Sequence, residues 1–389
     1  MGRLSLQKMI LNKFEEDTGL ATKMAKIAGY SSPGALTKIL KDEKKEFAKF
    51  YGLVKIVRCM FFEEEKSLMA EYSTTLDPNK QTARYMLEYL NTSNLHDEKK
   101  KLINRMLESS NALSKEYANI YEIDHNSLMK LEDFNGTLSK YLSLNNKTIE
   151  GKVITEILKC YTFLDEHEYT MIKRSLDTVS KLVHEIKDDY LREILLCRYS
   201  LLLVGYHVRN DEKMKVRDIC WSLINQVEDN YFKSWAYLHI GNSYIIEDYD
   251  KSYKYLTDGL KLNSDNNNAV MNLKRSVNFV SNLWGKESLL LDLNSENPSD
   301  KHEIAFYYIQ HGQKQMALNT LDSLEFDKLT VNQKAFHMYY RGLLNYDLDS
   351  FAESVAYFRE SGDFFFRKLP LLEISKMEVP SSIIRALAK

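Results

Sequence analysis

An all-α fold is predicted for this 389-residue chain by three observations. Glycine and proline, which interrupt helices, number only 14 and 5, whereas Leu, Lys and Glu, which favour helices, are abundant. Apolar residues recur at the period of an amphipathic helix through most of the chain. Near the carboxyl end, the same spacing of small and large residues recurs as it does in stacked helical hairpins. We therefore predict an N-terminal helix-turn-helix domain, a degenerate tetratricopeptide-like right-handed superhelix and a C-terminal helix that caps the array or joins a dimer.

The first predicted element is a helix-turn-helix within MAKIAGYSSPGALTKIL, residues 24–40. An apolar helical stripe runs through the first half of this stretch, breaks at Gly29 and Tyr30, and then resumes. Gly29 can adopt the positive φ of a sharp turn, and Ser32 followed by Pro33 is typical of an N-cap and a first helical residue. A second helix is therefore predicted to begin near Pro33, with a small, polar and basic outer face suited to a DNA major groove.

The charge distribution favours DNA as the partner of this amino-terminal head. Residues 1–58 contain 12 Lys and Arg against 6 Asp and Glu, so they carry +6 and the rest of the chain carries −8. Because phosphate contacts dominate affinity for nucleic acids, only the basic head is expected to meet DNA. The alternative is an ordinary αα-hairpin with a solvated exterior. The residues predicted near bases are Ser32, Ala35, Thr37 and Lys38, and those predicted near phosphates are Thr22, Lys23 and Lys26.

The body of the chain is predicted to be an array of degenerate tetratricopeptide repeats. In such repeats, small residues lie where two helices cross and large residues fill the space between them. Three copies are recognisable, on Gly241, Tyr244, Ser252, Leu256 and Gly259, on Ala305, Tyr308, Ala317, Leu321 and Leu324, and on Gly342, Ser354, Phe358 and Ser361. Arrays of this kind bind extended peptides in a groove lined by the first helix of each repeat.

Candidate ligand contacts lie at the inward positions of those first helices. Asn242 offers both a donor and an acceptor, which suits a peptide backbone. Asp363, just beyond the last recognisable repeat, can pair with a cation of the ligand. The other candidates are His302, Tyr339, the adjacent Tyr340 and Tyr346. Each polar candidate has a structural alternative, namely a capping Asn, a satisfied core His or an Asp that starts a helix.

No catalytic or cofactor-binding motif is present, so neither an enzyme nor a cofactor is expected. Patterns for phosphate-binding loops, dinucleotides, zinc proteases and serine hydrolases are absent, and the nine histidines do not cluster at metal-ligand spacing. The pair His167 and Glu168 is more typical of a solvated helix face than of a catalytic base. The cysteines are widely separated in apolar helical runs, which predicts reduced thiols and no metal; they are Cys59, Cys160, Cys197 and Cys220.

Location and domain organisation follow from the same patterns. The amino terminus lacks the apolar core of a secretory signal, and the longest apolar stretch is too short to span a membrane, so a cytoplasmic protein is expected. The predicted parts are a helix-turn-helix DNA-binding domain at residues 1–60, a peptide-binding repeat domain at 61–370 and a capping or dimerisation segment at 371–389.

Several strings of the sequence resemble the AimR arbitrium receptors of Bacillus phages. They are GNSYIIEDYDKSYKYL, KRSVNFVSNLWGKES, YYRGLLNYD and GDFFFRKLP, in that order. The resemblance implies a homodimeric transcriptional regulator of the lysis–lysogeny decision that binds operator DNA in the host bacterial cytoplasm. It also implies that the free receptor activates a downstream transcript opposing lysogeny, and that a short secreted peptide in the repeat groove switches activation off.

The same resemblance implies roles for single residues. Asn242, in GNSY, matches a clamp on the peptide backbone, and Asp363, in GDFFF, matches a peptide contact. His239 and His302 lie at positions that are polar in relatives but differ in type, so they are expected to read this receptor's own peptide. Gly205 lies where relatives carry Asn, so that contact is not expected here. Dimer contacts are expected at Ile383, Ile384 and Leu387.

Two other function classes compete with this reading. A tetratricopeptide adaptor would bind a protein partner and never touch DNA. A phosphatase regulator built on the same repeats would lack a DNA-reading head. Binding to operator DNA therefore separates the leading hypothesis from both alternatives.

Overall fold

The computed structural model describes residues 4–42, 45–165, 169–262 and 268–388, and within these ranges the chain forms helices and no β-strand. The all-α prediction is therefore confirmed. The first eleven helices are α1 Leu6–Glu16, α2 Thr18–Ile27, α3 Pro33–Leu40, α4 Phe50–Met60, α5 Glu65–Thr75, α6 Gln81–Thr92, α7 His96–Leu107, α8 Ala112–Leu128, α9 Phe134–Ser143, α10 Ile149–Asp165 and α11 Tyr169–Leu182.

The second set of helices covers the rest of the chain. These are α12 Asp189–Arg209, α13 Lys213–Gln226, α14 Asn230–Asn242, α15 Tyr249–Leu260, α16 Asn268–Leu283, α17 Pro298–Gln310, α18 Lys314–Asp322, α19 Val331–Asn345, α20 Leu348–Glu360, α21 Lys368–Ser375 and α22 Ser381–Ala388. Across the described ranges, no helix combines the length and the apolar character that a membrane span requires.

Contacts between the helices group the chain into two compact units. Unit 1 comprises Met1–Glu166 and Arg174–Leu196, and unit 2 comprises His167–Lys173 and Cys197–Lys389. The predicted boundary after residue 60 falls inside unit 1. The three-part domain division therefore remains a prediction.

The head of unit 1 is a small bundle formed by the first four helices. α1 contacts α2 and α3, and α2 also contacts α3 and α4. Its core is apolar and includes the fully buried Met24, Leu36 and Leu53. α4 crosses α2 closely because the residues at the crossing are small: a Cβ on Gly52 would lie 2.7 Å from the carbonyl oxygen of Ala28. This packing holds α2 and α3 in a fixed arrangement at the surface.

The remainder of unit 1 contains buried charges that are paired. Lys99 on α7 is fully buried, and its Nζ donates to Asp124 Oδ2 on α8 at 2.8 Å and to Asn91 Oδ1 on α6 at 2.7 Å. One ammonium group therefore joins three helices. A buried charge is tolerated when it is paired and hydrogen-bonded in this way.

Unit 2 is built from consecutive helix pairs, as the repeats predicted. α14 packs on α15, α17 on α18 and α19 on α20. Small residues lie at the crossings: a Cβ on Gly241 would lie 2.6 Å from Leu256 Cγ, and one on Gly342 would lie 2.6 Å from Phe351 Cδ1. The three predicted hairpins are confirmed. The structure also supplies the reason for the glycines, which is the close approach of the partner side chain.

A Gly241→Ala substitution is expected to lower the free energy of unfolding by about 1–3 kcal/mol, because the added methyl group overpacks the crossing with α15. Gly205→Ala is the matched control, since Gly205 also lies within a helix but a Cβ there meets no atom within 4 Å. The control is expected to raise stability by up to about 1 kcal/mol. Urea denaturation of both variants measures the two signs. If both substitutions changed the free energy of unfolding equally, close packing at the crossing of α14 and α15 would not be the cause.

Candidate functional site

The turn of the predicted helix-turn-helix is formed at the end of α2. Gly29 adopts φ +70°, and the backbone N–H of Tyr30 donates to the carbonyl of Ala25 at 2.8 Å. This is the helix end that a glycine in the left-handed region makes possible. Lys49 Nζ donates to the Gly29 carbonyl and lies 5.3 Å from the centre of the Tyr30 ring. Lys49, which the sequence analysis missed, thus braces the turn.

The second helix of the motif begins where the sequence predicts. α3 starts at Pro33, and Ser32 is its N-cap, with Oγ accepting from the N–H of Ala35 at 3.2 Å. Thr37 Oγ1 donates to the Pro33 carbonyl at 2.9 Å. The predicted N-cap and first helical residue are therefore confirmed. Thr37 is held within its own helix, with its side chain half-buried.

The residues predicted to meet DNA are distributed over both helices of the motif. The exposed ones are Thr22, Lys23, Lys26, Ser32 and Lys38, and the half-buried ones are Ala35 and Thr37. Thr22, Lys26 and Ser32 border one surface depression between the two helices, with Lys49 at the same depression. The geometry therefore provides an exposed basic surface on a rigid support. The individual base and phosphate contacts remain predictions.

Asp363, a predicted peptide contact in unit 2, lies in a polar environment supplied by the chain itself. It is only 9% exposed. Its Oδ1 accepts from the N–H of Phe366 at 3.0 Å, and its Oδ2 accepts from Asn332 Nδ2 at 3.1 Å. Burial raises the pKa of Asp363, whereas these hydrogen bonds and the Arg209 guanidinium oppose the increase. The carboxylate is therefore oriented by internal partners.

Arg209, the last residue of α12, connects Asp363 to another predicted contact, His239. Burial lowers the pKa of Arg209 to about 10, and the charge of Asp363 opposes this change. Burial also lowers the pKa of His239 to about 4, and Arg209 adds to this effect. His239 is therefore a neutral imidazole near neutral pH. The structure places a guanidinium near both predicted residues.

Asn242 lies one helical turn beyond His239 on α14, so the two residues share a face. Its Oδ1 atom is buried and has no hydrogen-bond partner among the described residues. Buried amide oxygens normally accept a hydrogen bond, so this oxygen can accept one from a further donor. A peptide N–H would supply that donor. This observation supports the predicted role of Asn242 as a backbone clamp.

His302 belongs to a buried hydrogen-bonded chain rather than to an open surface. Its Nε2 lies 3.3 Å from His337 Nδ1, and Arg341 Nε donates to His337 Nε2 at 3.0 Å. Because a guanidinium only donates, His337 must accept at Nε2 and therefore donates from Nδ1 to His302. Burial lowers the pKa of His302 to about 3 and that of His337 to about 4. The structure thus gives His302 a partner within the core.

The aromatic candidates on α19 are placed differently from the prediction. Tyr339 is 2% exposed and Tyr340 is fully buried, because α19 packs between α17 and α20. The Tyr340 ring stacks on Phe306 with centroids 5.0 Å apart. Both tyrosines are therefore core residues, and in this structure neither is accessible to a peptide. Tyr346 is exposed, just beyond the end of the same helix.

The predicted dimer contacts on α22 are also divided by the structure. Ile384 and Leu387 pack against the apolar core of unit 2, whereas Ile383 is 43% exposed. An amphipathic helix has one apolar face. In α22 the face that a dimer contact would use also covers the core of unit 2. Ile384 and Leu387 are nevertheless only half-buried, and the dimer contacts of α22 remain a prediction.

Sequence reasoning missed Arg209 and Asn332, which both lie close to Asp363. Arg209 ends a long apolar helix, and its basic character was a usable signal, but nothing local links it to a residue so distant in the chain. The pair His167 and Glu168 lies outside the described residues. The four cysteines are free thiols, as predicted. In the described ranges, no group of three or more His, Cys, Asp and Glu side chains could hold a metal ion.

Comparisons with known proteins match most of the chain. A family model described as AimR transcriptional regulator-like matches residues 65–376. The AimR transcriptional regulator of Bacillus phage phi3T is 31% identical over 372 residues, which cover 95% of this chain and 97% of the relative. The AimR transcriptional regulator of Bacillus phage SPbeta is 28% identical over 366 residues, with 93% and 94% covered.

Two solved structures have a similar fold. A structure of selenomethionine-labelled phAimR matches with a TM-score of 0.80 and 29% identity, covering 99% of this chain and 100% of that one. A structure of phAimR with a ligand matches with a TM-score of 0.79 and 29% identity, covering 86% and 99%. These likenesses confirm the predicted fold class, with a helix-turn-helix head and tetratricopeptide-like helix pairs.

Proposed function

The chain belongs to the AimR transcriptional regulator-like family, and from that membership we propose that it controls phage lysis–lysogeny as a peptide-switched, DNA-binding homodimer. In the free state it activates a downstream transcript that opposes lysogeny, and a short secreted peptide switches activation off. The observation that carries this proposal is the capped helix-turn-helix with an exposed basic surface on a chain whose relatives are transcriptional regulators. We assign it to the bacterial cytoplasm, where operator DNA is accessible.

The domain roles follow the sequence prediction. Residues 1–60 bind the operator, residues 61–370 hold the peptide, and residues 371–389 cap the array and contribute Ile383, Ile384 and Leu387 to the dimer. α3 is the helix that enters the major groove, because in helix-turn-helix proteins the N-terminal residues of the second helix contact the base edges. Lys23 and Lys26 on α2 neutralise backbone phosphates.

The peptide site is centred on Asn242, His239 and Asp363. The orphaned oxygen of Asn242 supports a contact with a peptide backbone. The ligand-bound form of phAimR, which is 29% identical to this chain, supports a ligand site in the same fold. Regulation then requires that the peptide bind one conformation of the dimer better than another. Two heads on one dimer read two half-sites, so a change in their separation alters operator binding.

A Lys38→Ala substitution is expected to weaken operator binding about tenfold, because one cationic contact near the DNA is lost. The measurement is a gel-shift titration with the region upstream of the protein's own operon, at several salt concentrations. Lys115→Ala is the matched control, since Lys115 is an exposed lysine of unit 1 outside the head. The control is expected to leave affinity and salt dependence unchanged.

Two outcomes of this titration contradict the proposal. Equal losses for Lys38→Ala and Lys115→Ala would show that charge anywhere in unit 1 suffices, and that α3 does not read DNA. Failure of the unaltered protein to bind any upstream fragment at modest ionic strength would favour the tetratricopeptide adaptor instead. A candidate peptide added to the bound complex then tests the switch, with release or altered mobility as the expected result.

A further inference from the structure

We propose that Arg209 determines the charge class of the cognate peptide: it is an internal counter-ion of Asp363, and it selects a peptide that carries no cation at the position facing that carboxylate. This inference rests on the proposed peptide-sensing function. It assigns a specificity role to a residue that the sequence analysis did not identify. It also replaces the sequence-based expectation that Asp363 pairs with a ligand cation.

The first observation is that two distant segments are fastened together at Asp363. The backbone N–H of Phe364 donates to the carbonyl of Arg209 at 3.0 Å. Two residues after Arg209, Asp211 forms an ion pair with Lys368. The backbone hydrogen bond and the ion pair fix the end of α12 against residues 363–368. Arg209 is therefore held near Asp363 by the fold, independently of any ligand.

The second observation is that the Asp363 carboxylate already has donors. One oxygen accepts from the Phe366 N–H and the other from Asn332 Nδ2, and the Arg209 charge attracts the same group. A ligand cation that bound Asp363 would have to compete with Arg209. If the ligand cation displaced Arg209, the partly buried Arg209 guanidinium would lose its carboxylate partner, and this loss is costly.

The third observation concerns the net charge of the site. Arg209 and Asp363 cancel each other, and burial lowers the pKa of the neighbouring His239 to about 4, so that imidazole adds no charge near neutral pH. Asp211 pairs with Lys368 and also with Lys213, whose Nζ lies 3.8 Å from Asp211 Oδ1, so its charge stays compensated when Lys368 is replaced. A cationic peptide side chain placed against Asp363 would therefore compete with Arg209 for a carboxylate whose charge is already compensated. An uncharged side chain meets no such penalty.

The test measures peptide charge preference directly. The probes are short synthetic peptides in a positional-scanning set, in which each position in turn is fixed as lysine, glutamine or glutamate. Binding to the full-length protein is followed by thermal stabilisation and calorimetry, since a ligand that binds only the folded state raises its stability. The variants are Arg209→Gln, Arg209→Lys and Asp363→Asn. Lys368→Gln is the matched control, because it breaks the fastening ion pair without touching Asp363.

The expected result is a reversal of preference in one variant only. The unaltered protein and Arg209→Lys disfavour lysine at one peptide position by about tenfold relative to glutamine, the size of one hydrogen bond to a charged group. Arg209→Gln binds the lysine peptide about tenfold more tightly than the glutamine peptide, because Asp363 has lost its internal counter-ion. Asp363→Asn favours glutamate, and Lys368→Gln keeps the original preference.

Three outcomes overturn the inference. If the unaltered protein prefers lysine and Arg209→Gln keeps that preference, Arg209 is not the counter-ion of Asp363, whereas the proposed peptide sensing stands. If Lys368→Gln shows the same reversal of preference, the cause is loosened contact between residues 209–211 and 363–368 and not the charge of Arg209. Absence of binding by every peptide to the unaltered protein overturns both this inference and the proposed function. If Arg209→Gln does not fold, Arg209→Lys and Asp363→Asn still separate the first outcome from the expected result.

Discussion

Replacing Lys99 with alanine is expected to lower the free energy of unfolding by about 3–5 kcal/mol, the cost of leaving one member of a buried ion pair without its partner. Lys99 is fully buried, and its ammonium joins α6, α7 and α8 through Asn91 and Asp124. Alanine removes the charge that compensates Asp124 and leaves space where the alkyl chain was. The measurement is urea denaturation at neutral pH, followed by a signal that reports the unfolding of unit 1.

Lys100→Ala is the matched control, because it removes the next lysine on the same helix. Lys100 pairs with Glu122 at 3.0 Å, with both side chains one-third exposed. A pair of this kind contributes at most about 1 kcal/mol. A further variant, Lys99→Met with Asp124→Leu, replaces the pair by apolar groups and is expected to recover much of the loss. Similar losses for Lys99→Ala and Lys100→Ala would show that burial does not control the effect.

The head could be read from the sequence because its signals are local. Gly29 adopts a positive φ, Ser32 caps α3 and Pro33 begins it, all as predicted. Each of these features depends on residues within a few positions, so one stretch of sequence contains the whole cause. Lys49 was missed because its hydrogen bond to Gly29 joins residues that lie apart in the chain.

The peptide site could be predicted only in part, because its character depends on contacts between distant segments. Asn242 and Asp363 were found by the resemblance to a family, yet the partners of Asp363 were not. Arg209 reaches Asp363 only because residues 209–211 and 363–368 are fastened together in unit 2. Repeat periodicity predicts which helix contains a residue, but it does not reveal the charges supplied by another repeat.

Burial explains why Tyr339 and Tyr340, which the sequence analysis assigned to a groove, are core residues in the structure. Periodicity cannot separate an inward face that lines a groove from one that is covered by the next hairpin. Tyr339 and Tyr340 are adjacent, so they point to different sides of α19, and both are buried because helices pack on each side. The same ambiguity applies to α22, where Ile384 and Leu387 cover the core of their own unit.

Acidification is expected to destabilise unit 2 through His302 and His337. Burial lowers the pKa of His302 from 6.5 to about 3 and that of His337 to about 4. Their folded-state pKa values lie below the unfolded value, so the unfolded chain binds protons first as the pH falls below 6.5. The stability that these neutral imidazoles provide is therefore present above pH 6.5 and is lost as the pH falls towards 3–4. The slope is about 1.4 kcal/mol per pH unit for each histidine.

The comparison that isolates this effect is His302→Gln against the unaltered protein, with urea denaturation from about pH 7 to about pH 5. The variant is expected to lose less stability over this range, by about 1.4 kcal/mol per pH unit below the unfolded pKa. The difference between proteins matters because Glu303, whose pKa burial raises to about 8, acts in the opposite direction in both. His311→Gln, which replaces an exposed histidine of the same unit, is the control for the substitution itself. Parallel pH profiles for His302→Gln and the unaltered protein would mean that His302 binds protons equally in the folded and unfolded states, as an accessible imidazole does. An accessible imidazole of that kind would restore His302 as a contact that a peptide can reach.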